Sequence, residues 1–346
     1  MTYRTDVGWR AFSHSTKEAD FGTAESIDAN GRLYYEGEPA DRKVHEFFSN
    51  KDEVNGTVGS QPDRFETLAY ILEHQHVQRA MPHNVALFAA LALGKITTTE
   101  VVGGSVYQHR MEIPTLGSAV ELDSVTMLEY NGLEYNKFAG IVCSDIALEM
   151  GAGPTHVRLT AGIKGCGKRE AWSDTTPTCI AESYLTHGDV KLYRGGSVLD
   201  SGASASGGDA LHAKLISCNY SFANGARPHF EPGHDSPTLV SRFERDAIEQ
   251  TLSCVLEVTT DQEHQTALTN GTEYVLYIPI TGGQIGATGY YYYIHLVFPR
   301  VVYKDAVAGA TDRKLTRACE FEILKDSSYD SSVYITCQNA QATYLG

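Results

Sequence analysis

The sequence predicts a mainly β protein built as two tandem β-sandwich units, each with a short flanking α-helix. Three observations lead there. Apolar residues recur with period two along much of the chain, helical patterning is confined to two short segments, and one order of elements occurs twice. The length of 346 residues suits two domains of ordinary size.

The elements follow in chain order. A first long strand is expected over 64–77. Residues 84–93, NVALFAALAL, predict a helix, with Asn84 as its cap, Pro82 just before it and Gly94 to end it. A long hairpin is expected next, from a strand at 137–149, a turn at Gly151-Ala152-Gly153-Pro154, and a strand at 155–163. In that last strand Val157, Leu159, Ala161 and Ile163 oppose His156, Arg158 and Thr160.

The second half repeats the order. In 247–258, Ile248, Leu252, Cys254, Leu256 and Val258 share a face with Gln250. The other face carries Glu249, Thr251, Ser253 and Glu257, with Ala247 and Val255 among them. A helix is expected over 261–269, with Thr260 and Glu263 as a capping box and Asn270-Gly271 as its stop. A strand at 294–304, a turn at Ala308-Gly309-Ala310 and a strand at 313–324 form the second hairpin. In its second strand Leu315, Cys319, Phe321 and Ile323 alternate with polar residues, and Arg317 breaks the apolar face. A last strand at 332–338 places Val333, Ile335 and Cys337 together. The expected division is residues 1–194, a Gly/Ser-rich linker at 195–209, and residues 210–346.

Composition narrows the function. Asp and Glu number 43 against 28 Lys and Arg, a net charge of −15. A protein that grips nucleic acid through phosphates needs a basic surface, so that class is disfavoured, whereas an acidic surface repels DNA. No apolar run reaches the roughly 18–20 residues of a membrane helix, and the N-terminus lacks a signal pattern, so synthesis in the cytoplasm and no membrane partner are expected. The seven cysteines are odd in number and scattered, with no C-x-x-C pair; most sit in apolar strand-like runs and are read as small hydrophobes.

Chemical motifs fail in turn. Gly162-Ile163-Lys164-Gly165-Cys166-Gly167-Lys168 fits a phosphate loop, but Arg169 stands where Ser or Thr should hold magnesium, and no helix follows. A glycine-rich turn ending a strand is the preferred reading. His74 and His76 share a strand face with His83 nearby, the raw material of a zinc site. However, Met81-Pro82 intervenes, no Asp or Cys completes a familiar spacing, and Glu73 points to the opposite face. Ser204 lacks the setting of a nucleophile elbow. The expectation is therefore no catalytic residue, no metal, no cofactor and no enzyme.

Several segments resemble the tail tube proteins, or major tail proteins, of long-tailed bacteriophages. In the second half these are Leu215-Ile216-Ser217-Cys218-Asn219-Tyr220-Ser221-Phe222-Ala223-Asn224-Gly225, the acid-bearing strand at 248–257 with its following helix, and His295-Leu296-Val297-Phe298-Pro299-Arg300-Val301-Val302-Tyr303. In the first half they are Asn55-Gly56-Thr57-Val58-Gly59, the helix at 84–93, and the runs 107–113 and 135–147. The resemblance implies β-sandwich units whose long strands join across subunits into a barrel, with rings stacked into a conduit for DNA. It implies as partners further copies of the chain itself, three per ring if the unit is duplicated or six if it is not. It also implies tail terminator, tape-measure and baseplate proteins, and a place in the virion tail. DNA would pass without specific binding along an acidic lining, for which Glu66, Glu249 and Glu257 are the candidates. Two other readings are an adhesin or carbohydrate-binding module of a virion, stacking sugars on Tyr290–Tyr293, and a metal-dependent enzyme using His74 and His76.

Overall fold

The computed structural model describes residues 11–345 apart from 29–30, 35–42, 50–64, 116–120, 131–134, 152, 154, 173–176, 212–213, 232–238, 259–261 and 312–313. In the first half the strands are β1 (Ala11–Lys17), β2 (Leu33–Tyr34), β3 (Lys43–Ser49) and β4 (Phe65–Arg79), then helix α1 (Pro82–Leu93). After it come β5 (Lys95–Val102), β6 (Val106–Glu112), β7 (Val125–Tyr130), β8 (Tyr135–Met150), β9 (Arg158–Gly165) and β10 (Arg169–Ala171). The middle of the chain carries β11 (Tyr193–Arg194), β12 (Ser197–Leu199), β13 (Ser204–Ser206) and β14 (Asp209–Ala210). The second half holds β15 (Leu215–Ala223), β16 (Arg227–His229), β17 (Arg242–Glu244) and β18 (Glu249–Glu257), then helix α2 (Gln262–Asn270). It ends with β19 (Glu273–Gln284), β20 (Tyr291–Thr311), β21 (Lys314–Ile323) and β22 (Tyr334–Asn339).

The mainly β expectation holds, and every pairing between these strands is antiparallel. One long ladder runs β3–β4–β9–β8–β15–β18–β21–β20. Two further runs pair with the N-terminal parts of its longest strands. β7 and β10 flank the start of β8, with β1 beyond β7. β19 and β22 flank the start of β20, with β6 and β5 beyond β22. Thus β8 and β20 each pass through two sets of neighbours. On β8 the change falls at Gly140, whose φ of +66° favours glycine and whose added Cβ would sit 2.9 Å from Cys166 Sγ and 3.0 Å from Phe21 Cζ. On β20 it falls near Pro299, beside a register shift against β19.

The repeated order has a structural counterpart. β3–β4–β9–β8 and β15–β18–β21–β20 carry the same sequence of pairings, with a helix after the second strand in both. Even the irregularity recurs: the hairpin β8–β9 shifts register between Cys143 and Asp145, and β20–β21 shifts between Tyr303 and Asp305. The halves join edge to edge through β8–β15, from Asp145↔Ala223 to Met150↔Cys218, and also through β6–β22. The ladder does not close into a barrel.

The two helices differ in role. Every residue of α1 is buried, as an apolar-all-round helix requires, and it packs against β22, β8 and β6. Asn84 is not its cap: Met81 occupies that place, and Asn84 lies in the first turn, its Oδ1 accepting the Met81 N–H at 2.8 Å. Gly94 ends the helix at φ +88° as expected. α2 packs on β20 and buries His264 and Ala267. The capping residue proposed for it, Thr260, lies outside the described residues.

Three further expectations change. Ala308-Gly309-Ala310 is strand, with Gly309 opposite Thr316, because β20 continues to Thr311. Leu315 is 69% exposed, for it lies where that hairpin outruns the core, and Arg317 is buried with its guanidinium on the Ala306 carbonyl and Gln265 Oε1. The stretch at 195–209 is not a bare linker. It carries the β12–β13 hairpin, and Ala203 is buried. The packed face of β18 is the expected one: Leu252, Cys254 and Leu256 are buried, and Glu249 is exposed.

Leu252→Asp or Leu256→Asp should abolish folding, since each combines lost apolar burial with an unpaired buried carboxylate at a cost of more than about 4 kcal/mol. Soluble protein with native circular dichroism from either variant would reverse this face assignment.

Candidate functional site

The long ladder leaves two strand edges open among the described residues. β3 bonds only to β4, and beyond Asp305 β20 bonds only to β21. An open edge presents unpaired N–H and C=O groups to any strand that can approach. Val307, 55% exposed, and Leu315 add apolar surface at the second edge.

The outward face of the ladder is continuous and charged. Arg79, Arg158, Glu149, Asn219, Ser253, Glu320 and Asp305 stand in register as one row across seven strands. Two rows further along the same face stand Gln75, Gly162, Asp145, Ala223 and Glu249. An added Cβ at Gly162 would fall 2.0 Å from the Asp145 carboxylate, which would have to move aside for any larger residue. Glu249 and Glu257 share that face, Glu257 bound by Lys314 Nζ at 2.7 Å. Glu66 lies on β4 opposite Phe48, and its side chain is outside the described ones. The acids are joined on this face by Arg79 and Arg158, a mixture that period-two patterning along single strands does not reveal.

The apparent phosphate loop is the end of β9 and the turn after it. Lys164 Nζ reaches Glu73 at 3.5 Å and donates to the Ala226 carbonyl, and Lys168 Nζ lies 3.3 Å from Glu170. Both lysines are committed to protein oxygens, so they do not converge on a phosphate position. The four tyrosines do not form one platform either. Tyr290 and Tyr291 are exposed, whereas Tyr293 stacks on His295 at 4.0 Å between centroids and accepts a hydrogen bond from Gln108.

Two buried polar clusters remain. In the first, His14 Nε2 meets His83 Nε2 at 3.1 Å, His109 bonds Thr98 and the Gln341 carbonyl, and the Tyr344 ring packs against all three imidazoles. Asn339 Nδ2 donates to the Tyr344 hydroxyl, tying the C-terminal segment over the cluster. Glu182 accepts the His83 backbone N–H at 2.9 Å. His83 is therefore drawn away from His74 and His76, because α1 begins between them. In the second cluster, His74 and His76 are joined by Glu129 of β7, and one donor atom from each falls within 4.8 Å of the others. These three could hold a metal. Glu129 has no sequence signal linking it to the histidines, since only the tertiary fold brings β7 to β4. Glu73 faces solvent, as the strand period requires.

No protein-family model matches the chain, and no curated protein does. Among solved structures it has a weak likeness to a chain described as "MrkH, A novel c-di-GMP dependence transcription regulatory factor", at 10% identity over 73% of this chain and 88% of that one. The TM-score of 0.12 is too low for any argument from it.

The histidine clusters impose a pH dependence. Burial holds His14, His76 and His83 below the usual imidazole range and takes His295 down to about 4. The unfolded chain binds protons on these residues below about pH 6.5 and the folded chain does not, so stability falls toward acid. Glu182 acts oppositely. Its residue is half-buried but its carboxyl is enclosed, and burial pushes it up to about 8. The unfolded carboxylate has lost its proton by about pH 5, so Glu182 costs stability increasingly as pH rises toward 8. The unfolding temperature should therefore peak near neutral pH, about 7, and Glu182→Gln should flatten the alkaline side of the curve. An alkaline side unchanged in that variant would show that Glu182 is not its source.

Proposed function

We propose that this chain is a structural virion protein that assembles with copies of itself into stacked rings, forming a phage tail tube through which DNA passes. The single observation that supports it most is the internal seam. β15 stands to β18 as β3 stands to β4, and β20 beyond Asp305 stands to β21 as β8 beyond Asp145 stands to β9. Within one chain the seam is β8–β15. The same pairing between chains would be β20 of one copy with β3 of the next, which uses both open edges and leaves none. Two units per chain then give a pseudo-sixfold ring from three copies, and closure supplies between chains the barrel that one chain lacks.

The acids of the outward face, Glu249 and Glu257 among them, would lie on the inner wall of such a ring. They would discourage phosphate adhesion at short range. Further partners would be the terminator, tape-measure and baseplate proteins at the ends and core of the tube. The role is one of assembly, without catalysis or cofactor.

Electron microscopy of the purified full chain should show rings or tubes with a central channel and threefold composition. Dispersed monomers under every assembly condition would argue against the reading, and sixfold composition against the duplicated ring. Val307→Pro and Ala308→Pro sharpen the test. Adjacent N–H groups on a strand point to opposite edges, so one of the two variants leaves β21 paired and removes only an outward donor. That variant should fold and fail to form rings. Glu249→Lys with Glu257→Lys should leave rings intact and reduce infectivity of the assembled particle, and full infectivity would take these two residues off the DNA path.

A further inference from the structure

The two halves pair corresponding strands with unlike residues, and at one group of positions polar residues stand against apolar ones. The registers set the correspondence. His74↔Ile163 and His76↔Ala161 in β4–β9 match Leu252↔Phe321 and Cys254↔Cys319 in β18–β21, because the shared bulges align Asp145 with Asp305. Met127↔Phe138 and Glu129↔Asn136 in β7–β8 match Leu276↔Phe298 and Ile278↔Leu296 in β19–β20. In the second half Leu252, Cys254, Ile278 and Leu296 are all buried. In the first half their counterparts are His74, His76, Glu129 and Asn136. Three of these are fully enclosed, His76 at 0%, Glu129 at 1% and Asn136 at 1% exposure.

The architecture therefore does not need polarity at these positions, since the second half fills them with hydrocarbon and a thiol. Burying a carboxylate and imidazoles costs free energy unless something compensates. These groups have partners of their own, and their arrangement would also suit a bound cation. His74, His76 and Glu129 bring one donor atom each within 4.8 Å of the others, and the His74 and His76 rings stand edge to face with centroids 4.9 Å apart. Asn136 lies directly across the ladder from Glu129, on the same sheet face, and neither its Oδ1 nor its Nδ2 has a hydrogen-bond partner among the described residues.

The geometry points to a structural divalent-metal site in the first unit, with His74, His76 and Glu129 as ligands and the Asn136 carboxamide oxygen as the fourth. Two imidazoles, a carboxylate and a neutral oxygen suit zinc, whose ligands sit at about 2.0–2.2 Å in a tetrahedron. β7 and β9 occupy opposite edges of β8, because Ile141 pairs with both Val125 and Gly165. An ion shared by β4 and β7 would therefore clamp together strands on opposite sides of β8, immediately before the buried helix α1. The inference rests on the fold of one chain and is independent of ring assembly.

The test uses the full chain, stripped with chelator and titrated with zinc ion alone. Wild type should take up about one zinc per chain, as a closed four-ligand site does, and its Tm should rise with zinc concentration. His74→Leu combined with Glu129→Gln should lose both effects. Zinc-edge X-ray absorption of the loaded wild type should show two imidazoles with oxygen ligands, which keeps the test decisive should the double variant not fold. Absence of uptake by the wild type, uptake undiminished in a folded double variant, or a first shell with fewer than two imidazoles would each overturn the assignment.

Discussion

The hydrogen-bond ladder along β8 and β20 is the constraint on which the rest depends. Each strand is too long to have the same neighbours throughout, and every buried N–H and C=O along it must still find a partner. β8 meets this by taking β7 and β10 at its start and β9 and β15 at its end. The change of company needs a local break in regular geometry. Gly140 supplies it on β8 and the Pro299 region on β20, each followed by a register shift at the equivalent place. Other residues at these points would have to displace packed atoms or sacrifice a ladder bond.

From this constraint follows the asymmetry between the halves. The end of β8 is satisfied by β15 of the same chain, whereas the end of β20 has no further strand of its own chain beside it among the described residues. Among the described residues the ladder repeats internally and leaves β3 and the end of β20 bonded on one side only. The same asymmetry explains the helices. α1 sits where strands of both halves cover it and is apolar on every side, while α2, with fewer neighbours, keeps polar residues. The core positions diverge in the opposite sense: the first unit places imidazoles, a carboxylate and a carboxamide where the second has aliphatic groups and a thiol. The two halves share one pairing scheme and differ in the residues that fill it.

The charge of the chain acquires a location through the sheet. Acids from β8, β18, β20 and β21 share one face, but Arg79 and Arg158 stand in the same row. Lys314 offsets Glu257 directly. The electrostatic character of that face is therefore a sum over neighbouring strands, and a net charge of −15 does not by itself describe it.

Much of the fold was legible in the residues. Period-two patterning located β4, β8, β9, β18 and β21 to within a few positions and chose the buried face of β18 correctly, because one-sided burial imposes alternation on a strand whatever its partners. Glycine and proline marked the limits of α1, and the order of elements betrayed the repeat. Other features were decided only by the tertiary structure. The exposure of Leu315 depends on where a hairpin outruns the core, and the strand at Ala308-Gly309-Ala310 on the register of β21. The meeting of Glu129 with His74 and His76 depends on β7 approaching β4, and His83 turns to His14 because α1 redirects the chain. The division has one physical cause. Local sequence encodes which side of a strand avoids water, since that preference belongs to each residue alone, whereas the identity of the group across a gap belongs to pairings between segments far apart in the chain.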